Sequence, residues 1–400
     1  MYALQAALRR QVRGAYIKQC MRHPRPLGCA LMATIGLDAT YTVEPQPSGI
    51  AVYSRKLIEA LAALETPHRF LLCYRLSRLA RRSEFLRPAS TPGSKKPRFS
   101  IKLFQEPLTF WLPWQAELFH SLAQRPPAFR FRREIVTVFD IFPITGQEYS
   151  SPDFRRKFSA LLLKAVERAT RVITASRYTA GQLLAHTPVA ENKLRIIPLG
   201  VDPPSLNLSP AERLLVRERL VGKGNEMILS VGVLQTRKNT LNSLRALEKL
   251  PDRYRLILVG GDGYGSEVVH DYIRSQGLGP RVHVRGYVTL GELHSLYQSA
   301  SALLFPSLEE GFGIPLLEAL ANGLPAVASR TASLPEVGGN AALYVDPHDP
   351  QDIADRVRRA VEDSELRRRM IRQGLERARE FSWRRVAEAT LEVYNEALSL

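Results

Sequence analysis

What the sequence has little of narrows its function first. There are three cysteines, Cys20, Cys29 and Cys73, which form no CxxC pair and no ligand group with histidines at metal spacing. That argues against a disulfide framework and a thiolate zinc site, and it fits a reducing cytoplasm. No apolar run reaches the roughly 18 residues a membrane-crossing helix needs, so no span is expected. No DxD, HExxH or histidine cluster occurs, which leaves a metal-bridged diphosphate and zinc hydrolysis unsupported; no metal and no cofactor are expected. The eight histidines are scattered, and only His120, after a strand, is worth watching. Internal repeats and nucleic-acid-binding motifs are also missing.

Acidic residues are scarce in one half only. Residues 1–200 hold 31 Lys and Arg against 13 Asp and Glu, whereas residues 201–400 hold 25 against 26, so the net charge of +17 arises entirely from the first half. Such a field attracts phosphates, anionic lipid head groups or nucleic acid, and it also suits a merely solvated face. The first 33 residues carry six basic and no acidic residues, which points to peripheral contact with an anionic membrane. A basic stretch to Arg25 followed by uncharged Leu27 to Leu37 imitates an export signal. Asp38, a glycine loop and a helix-period segment follow it, which reads better as a first buried strand.

What is present suits two ordinary cores: 400 residues, 45% hydrophobic and 24% charged. Short apolar, often β-branched runs alternate with helix-period segments, the pattern of parallel sheets covered by helices. Strands are predicted near 31–37, 69–74, 116–120, 134–139, 171–175 and 194–198, with helices at 50–63, 154–168 and 177–186. A second series of strands is predicted at 226–232, 254–260, 281–286, 301–307, 324–329 and 341–345. The stretch 201–212, rich in Pro, Ser and Asn, breaks the pattern between them. The expected division is a basic acceptor-side domain at 1–203, a neutral nucleotide-side domain at 204–380, and a terminal helix at 381–400 able to pack back on the first. Residues 75–104, with nine basic residues and only Glu84 acidic, read as a flexible basic excursion.

The chemistry concentrates in Pro306 to Arg330, PSLEEGFGIPLLEALANGLPAVASR. A strand runs into Gly311 and Gly313, and a helix then starts with Pro315 in its first turn. Open α/β sheets bind ligands where strand carboxyl ends meet helix amino ends. Free N–H groups there suit a phosphate or a sugar hydroxyl, and glycine lets the backbone approach. Glu318, one turn into the helix, suits a ribose diol; Glu310, before the turn, suits two hexose hydroxyls. The plainer alternative is that Glu309 or Glu310 caps the helix.

This string resembles the glycosyltransferase group 1 family, retaining enzymes built from two facing Rossmann-like domains, the GT-B architecture. Glu310 and Glu318, with seven residues between them, match its E-x7-E signature, and the match continues through Gly323, Pro325 and Ser329. Further matches are SVGVLQTRKN (230–239), LVGGDGYG (258–265), RGYV (285–288), RVITASRYTAGQLL (171–184) and IIPLGVD (196–202). The resemblance implies that Arg237 and Lys238 hold the donor diphosphate, which gains negative charge as the glycosidic bond stretches; before a helix, such a pair is otherwise simply solvated. It implies donor contacts from Gly49, Gly232, Phe312 and Ile314 together with Gly311, Gly313 and Glu318, and contact of the base with Tyr287 and Val288 beside Gly286. The resemblance also implies a glycine loop of the first half facing the donor, here Ser48, Gly49 and Ile50.

The chain departs from the family pattern in two places. VTVFDIFP has Phe139 where histidine is common, while Asp140 is kept, either near the reacting centre or as a turn residue. Val233 stands where some members carry another basic residue, leaving more to Arg237 and Lys238. The implied activity is retaining transfer of a hexose from a GDP- or UDP-linked sugar, with a lean to mannose and GDP from the RKN loop. The acceptor would be a saccharide or lipid-linked saccharide of cell-surface polysaccharide or lipopolysaccharide synthesis. Three rivals stay open: a sugar-nucleotide epimerase of the same fold, an inactive scaffold given Phe139, and a nucleic-acid binder, which leaves the Gly/Glu string unexplained.

Overall fold

A computed structural model describes residues 32–44, 46, 48–88 and 97–400. The basic leader to Arg25, most of the export-like segment's first half, Cys20 and Cys29 lie outside the described residues.

Two all-parallel sheets form the frame. The first has the order β3-β2-β1-β4-β5-β6-β7, with β1 Thr34–Asp38, β2 Arg69–Arg75, β3 Arg98–Phe104, β4 Leu118–Ser121, β5 Glu134–Val138, β6 Arg171–Thr174 and β7 Leu194–Ile196. The second has the order β10-β9-β8-β11-β12-β13, with β8 Glu226–Val231, β9 Tyr254–Val259, β10 Val282–Val284, β11 Ala302–Phe305, β12 Ala326–Ser329 and β13 Ala342–Val345. The chain therefore has the two-Rossmann, GT-B arrangement. Central strands such as β5, β11 and β12 are buried at every residue, which is why they read as mainly apolar runs without alternation.

Helix starts are fixed locally. Ser48, Ser151 and Ser176 each accept a backbone N–H three residues on, and Ser209 with Glu212 and Thr289 with Glu292 form reciprocal capping boxes.

The basic excursion expected over 75–104 is corrected. Leu76–Glu84 is a pair of 3-10 turns kinked at Arg81, and Arg98–Phe104 is a full strand paired with β2 at seven positions. As an edge strand it is half exposed, so basic residues on its open side do not disqualify it. Residues 89–96, which hold most of the Pro/Ser/Lys run, lie outside the described residues.

The chain crosses between the halves twice, side by side. Val201 N donates to Phe381 O at 3.3 Å, and a Cβ on Gly200 would lie 2.5 Å from Trp383 N. After the second crossing, the helix Trp383–Leu398 returns to the first sheet and packs along the helix Gly49–Ala63. His68 Nε2 meets Asn395 Oδ1 at 2.9 Å, and Glu396 pairs with Arg171 and Arg195. His120 belongs to this packing. Its Nδ1 meets Tyr394 Oη at 2.8 Å, its Nε2 meets Thr137 Oγ1 at 2.8 Å, and burial lowers its pKa to about 3. It is a neutral core histidine.

Candidate functional site

The strands of each sheet are parallel, so their carboxyl ends share one edge, and the two edges meet. The loop after β11 carries Leu308 to Gly313 across this meeting place. Leu308 N donates to Arg237 O at 2.9 Å, tying that loop to the turn after β8. Gly313 has φ +99° and is the N-cap of the helix Ile314–Ala321, with no side-chain cap. The helix-cap alternative for Glu309 and Glu310 is therefore corrected: both carboxylates are engaged elsewhere, and they point to opposite partners.

Glu309 faces the first half, where Thr145 Oγ1 donates to its two oxygens at 2.7 and 2.8 Å. Glu310 faces the second half and sits between two cations. Arg237 Nη1 lies 3.0 Å from its Oε2 and Lys238 Nζ 2.5 Å from its Oε1, with all three side chains at least 85% buried. Burial alone would raise the Glu310 carboxyl, but Arg237 and Lys238 overcome it and hold the pKa at about 2. Burial lowers Lys238, opposed by Glu310. The cations are further seated on aromatic faces, Arg237 over Phe142 at 4.8 Å and Lys238 over Phe305 at 4.8 Å. Gly232, at φ +141°, leaves room for the lysine stem, since a Cβ there would lie 3.1 Å from Lys238 Cε.

Asp140 joins this cluster from the first half. Burial raises its pKa, while Arg237 opposes that shift and Glu310 adds to it. Gly311 is the closest approach of the halves: a Cβ there would lie 1.8 Å from Phe139 O and 3.0 Å from Asp140 Cβ. Its own carbonyl accepts from Ser176 Oγ at 2.7 Å and Thr179 Oγ1 at 3.3 Å. Phe139, in the position where the family pattern commonly has histidine, sends its ring 5.0 Å from Tyr53, edge to face, into the core. Gly49 likewise meets the second half, with a built Cβ 3.4 Å from Ile314 Cδ1.

Glu318 has a different environment from Glu310. Among the described residues no cation pairs with it; Tyr297 Oη donates to its Oε2 at 2.8 Å. Desolvation raises its carboxyl to about 7, against the Tyr297 hydrogen bond and with a push from Asp202. Tyr287 is exposed and lies over Gly261, where a Cβ would be 2.5 Å from its ring, while Val288 packs partly on the core. Phe312 points its ring at Phe381, so what it offers the cleft is backbone.

One participant carried no signal that we read in the sequence. Glu336, in LPEVGG of the second half, accepts from Arg177 N at 2.9 Å and Tyr178 N at 2.7 Å, the first amides of the helix Arg177–His186 in the first half. Its partners are backbone groups 158 and 159 residues away, which no spacing rule reveals. Among the described residues, no helix is long and apolar enough to cross a membrane.

Residues 214–377 match the model described as glycosyl transferases group 1, and residues 47–204 match that of glycosyltransferase family 4. Together they cover most of the chain. It is 27% identical to the O-antigen chain mannosyltransferase B of Escherichia coli, over 89% of this chain and 98% of that protein. It is 28% identical to the serotype-specific mannosyltransferase WbdA of Escherichia coli over 66% of this chain, which spans only 34% of that larger protein. Among solved structures, Anabaena HepE in complex with UDP and glucose superposes with a TM-score of 0.70 at 16% identity, over 91% of this chain and all of that one.

Proposed function

The chain belongs to the glycosyltransferase group 1 family and is a glycosyltransferase, and we propose that it moves a hexose from a nucleoside-diphosphate sugar with retention of configuration. The observation that carries the reading is the buried Arg237–Glu310–Lys238 triad at the meeting edge of the two sheets. An isolated diphosphate is costly to bury, and two fixed cations offset that cost. Their positive charge is worth most when the leaving diphosphate gains charge, so they favour the transition state over the bound donor. Glu310, held ionised, both orients the cations and accepts hydroxyls of the transferred sugar. Glu318 accepts from the ribose diol, and the base lies by Tyr287 and Val288.

In this reading no metal bridges the diphosphate and no enzymic nucleophile is needed. The glycosidic C–O bond to the phosphate breaks as the acceptor oxygen bonds to the same face of the anomeric carbon. The acceptor's proton passes to the departing phosphate oxygen, which leaves as the nucleoside diphosphate. In this reading Asp140, close to the cations, takes a position beside the reacting centre. The donor lean is GDP-mannose and the acceptor a saccharide or lipid-linked saccharide of cell-surface polysaccharide or lipopolysaccharide synthesis; the mannosyltransferase and O-antigen names of the relatives support the sugar and the polysaccharide.

The test is a thermal-shift panel of nucleoside diphosphates and nucleotide sugars on wild type and Glu318→Ala. A shift with one base that weakens in the variant supports the reading and names the nucleotide. No shift with any nucleotide sends it to the scaffold or nucleic-acid alternatives; turnover of donor without acceptor points to the epimerase.

A further inference from the structure

The first sheet is covered unusually on one face. Between β3 and β4 the chain makes its crossover with no more than a four-residue 3-10 helix, Leu112–Gln115: residues 105–117 leave the carboxyl end of β3 and return to the amino end of β1 and β4, where Glu117 N donates to Thr34 O at 2.9 Å. Leu112 and Ala116 turn inward onto Leu71, Cys73, Phe104 and Phe119. The outward side of such a segment is ordinarily polar. Here it carries Leu108, Phe110, Trp111 and Trp114, which are 66%, 62%, 45% and 80% exposed. The rings form a cluster, with Phe110 5.4 Å from Trp111 and 6.2 Å from Trp114. A contiguous exposed aromatic cluster of this kind marks an interaction site.

The neighbouring crossover, residues 122–133, lies on the same face. Phe131 stacks on Phe119 at 4.3 Å, and Ala128 N donates to Glu106 Oε1 at 2.7 Å. It presents Arg125, Arg130 and Arg132, all exposed and none in a salt bridge among the described residues. Residues 75–133 hold 13 Lys and Arg against three acids, Glu84, Glu106 and Glu117. Each acid is already occupied: Glu84 with Arg81 at 3.6 Å, Glu106 with Arg75 at 3.8 Å, and Glu117 by Thr34 N at 2.6 Å. The surface therefore combines indole and phenyl rings with an uncompensated positive rim.

We propose that the outward face of the 105–117 crossover, with Arg125, Arg130 and Arg132 beside it, is a docking surface for an anionic lipid bilayer. Tryptophan rings settle at the head-group level and arginines meet anionic head groups, which matches this juxtaposition. Nucleic acid fits less well, because the rings stand edge to face at 78° and 88° and occupy each other instead of offering parallel platforms for bases. The crossover begins at the carboxyl edge that also carries Phe139 and Asp140, so a bilayer on this face brings a lipid-linked acceptor to the cleft's side of the molecule. The inference rests on the lipid-linked acceptor proposed above.

The experiment uses the full chain and vesicles of phosphatidylethanolamine with phosphatidylglycerol at roughly three to one, against phosphatidylcholine alone. Trp111 and Trp114 are two of only three tryptophans, and Trp383 is buried, so a blue shift of intrinsic fluorescence reports the surface directly. Flotation with the anionic vesicles and a blue shift are expected. The triple variant Phe110→Ser, Trp111→Ser, Trp114→Ser and a second variant, Arg125→Ser, Arg130→Ser, Arg132→Ser, should each lower partition about tenfold or more, with thermal unfolding and the nucleotide response unchanged. Equal or absent binding to the two vesicle types by wild type overturns the proposal. So do variants that float like wild type, displacement of vesicles by single-stranded nucleic acid, or a dimer that the aromatic variant abolishes. Vesicle binding that survives while no nucleotide shifts the wild type would support this surface and count against glycosyl transfer; the reverse pattern would do the opposite.

Discussion

The two halves bring different things to the edge where they meet. The second half contributes charged side chains: Arg237, Lys238 and Glu310 locked together, then Glu318 and Glu336. The first half, although it carries all of the chain's excess charge, contributes mostly backbone and hydroxyls. These are Phe139 O against Gly311, the first amides of Arg177–His186, and Ser176, Thr179 and Thr145. The difference teaches that net charge is a poor guide to where the chemistry lies. Among the described residues, the basic half engages its most buried ion-paired cation, Arg168, with Glu134 away from this edge, while the neutral half brings two of its 25, Arg237 and Lys238, buried to the edge, where a charge acts at short range in a low dielectric.

The largest expected effect breaks the charged side of this comparison. Glu310→Ala leaves two buried cations without their anion, which should cost about 3–5 kcal/mol of stability and depress transfer by roughly a hundredfold or more. Denaturant unfolding and turnover check it, and a stability loss near zero would show that water already screens the triad. Gly311→Ala attacks the join instead. Its Cβ would meet Phe139 O, so the halves must part, with about 1–3 kcal/mol lost and a larger radius of gyration by X-ray scattering. An unchanged scattering profile would mean the loop yields at no cost to closure.

Glu336→Gln is gentler, since an amide oxygen still accepts one of the two N–H groups while the favourable charge at the helix amino end is gone. About 1 kcal/mol is expected, with faster hydrogen exchange at Arg177 and Tyr178. Exchange that speeds elsewhere and not at these two amides would refute the contact's role.

A pH dependence, spread over several pH units instead of removed at a stroke, separates the two carboxylates of the motif. Glu310 is depressed to about 2, so its share of stability is present above the ordinary glutamate range near 4.5 and is lost as pH falls from there toward 2. Glu318 is raised to about 7, so the folded state holds its proton longer than the unfolded one. Its contribution is full below about 4.5 and is lost as pH rises through about 7. Unfolding measured across that upper window should slope downward in wild type and more shallowly in Glu318→Gln. Parallel curves would place the Glu318 titration elsewhere.

Much of the fold was legible because buried parallel strands are continuous apolar runs, and most of the predicted strands, β8, β9 and β11 among them, begin and end within a few residues of those observed. β3 was missed for the complementary reason. RFSIKLF alternates as an edge strand should, but its basic residues and the Pro/Ser/Lys run ahead of it outweighed the alternation. At the site, the residue types and their places in strand-turn-helix units could be read, because each lies in a local motif. The pairing of Lys238 with Glu310 spans 72 residues, and the Glu336 contact has backbone partners, so neither leaves a trace in local pattern. The same holds for the aromatic crossover, whose rings look like core residues until their exposure is known.

The paired crossings at Val201 and Phe381 have a mechanical consequence. Two connecting segments fastened together at one place are built like the pin of a door, and the motion such a joint favours is a swing about that pin. Sliding and twisting would tear the Val201–Phe381 hydrogen bond and drag Trp383 off Gly200. Each swing would then carry Glu336 away from Arg177 and Gly311 away from Phe139 together, so the two contacts should report one event with one rate.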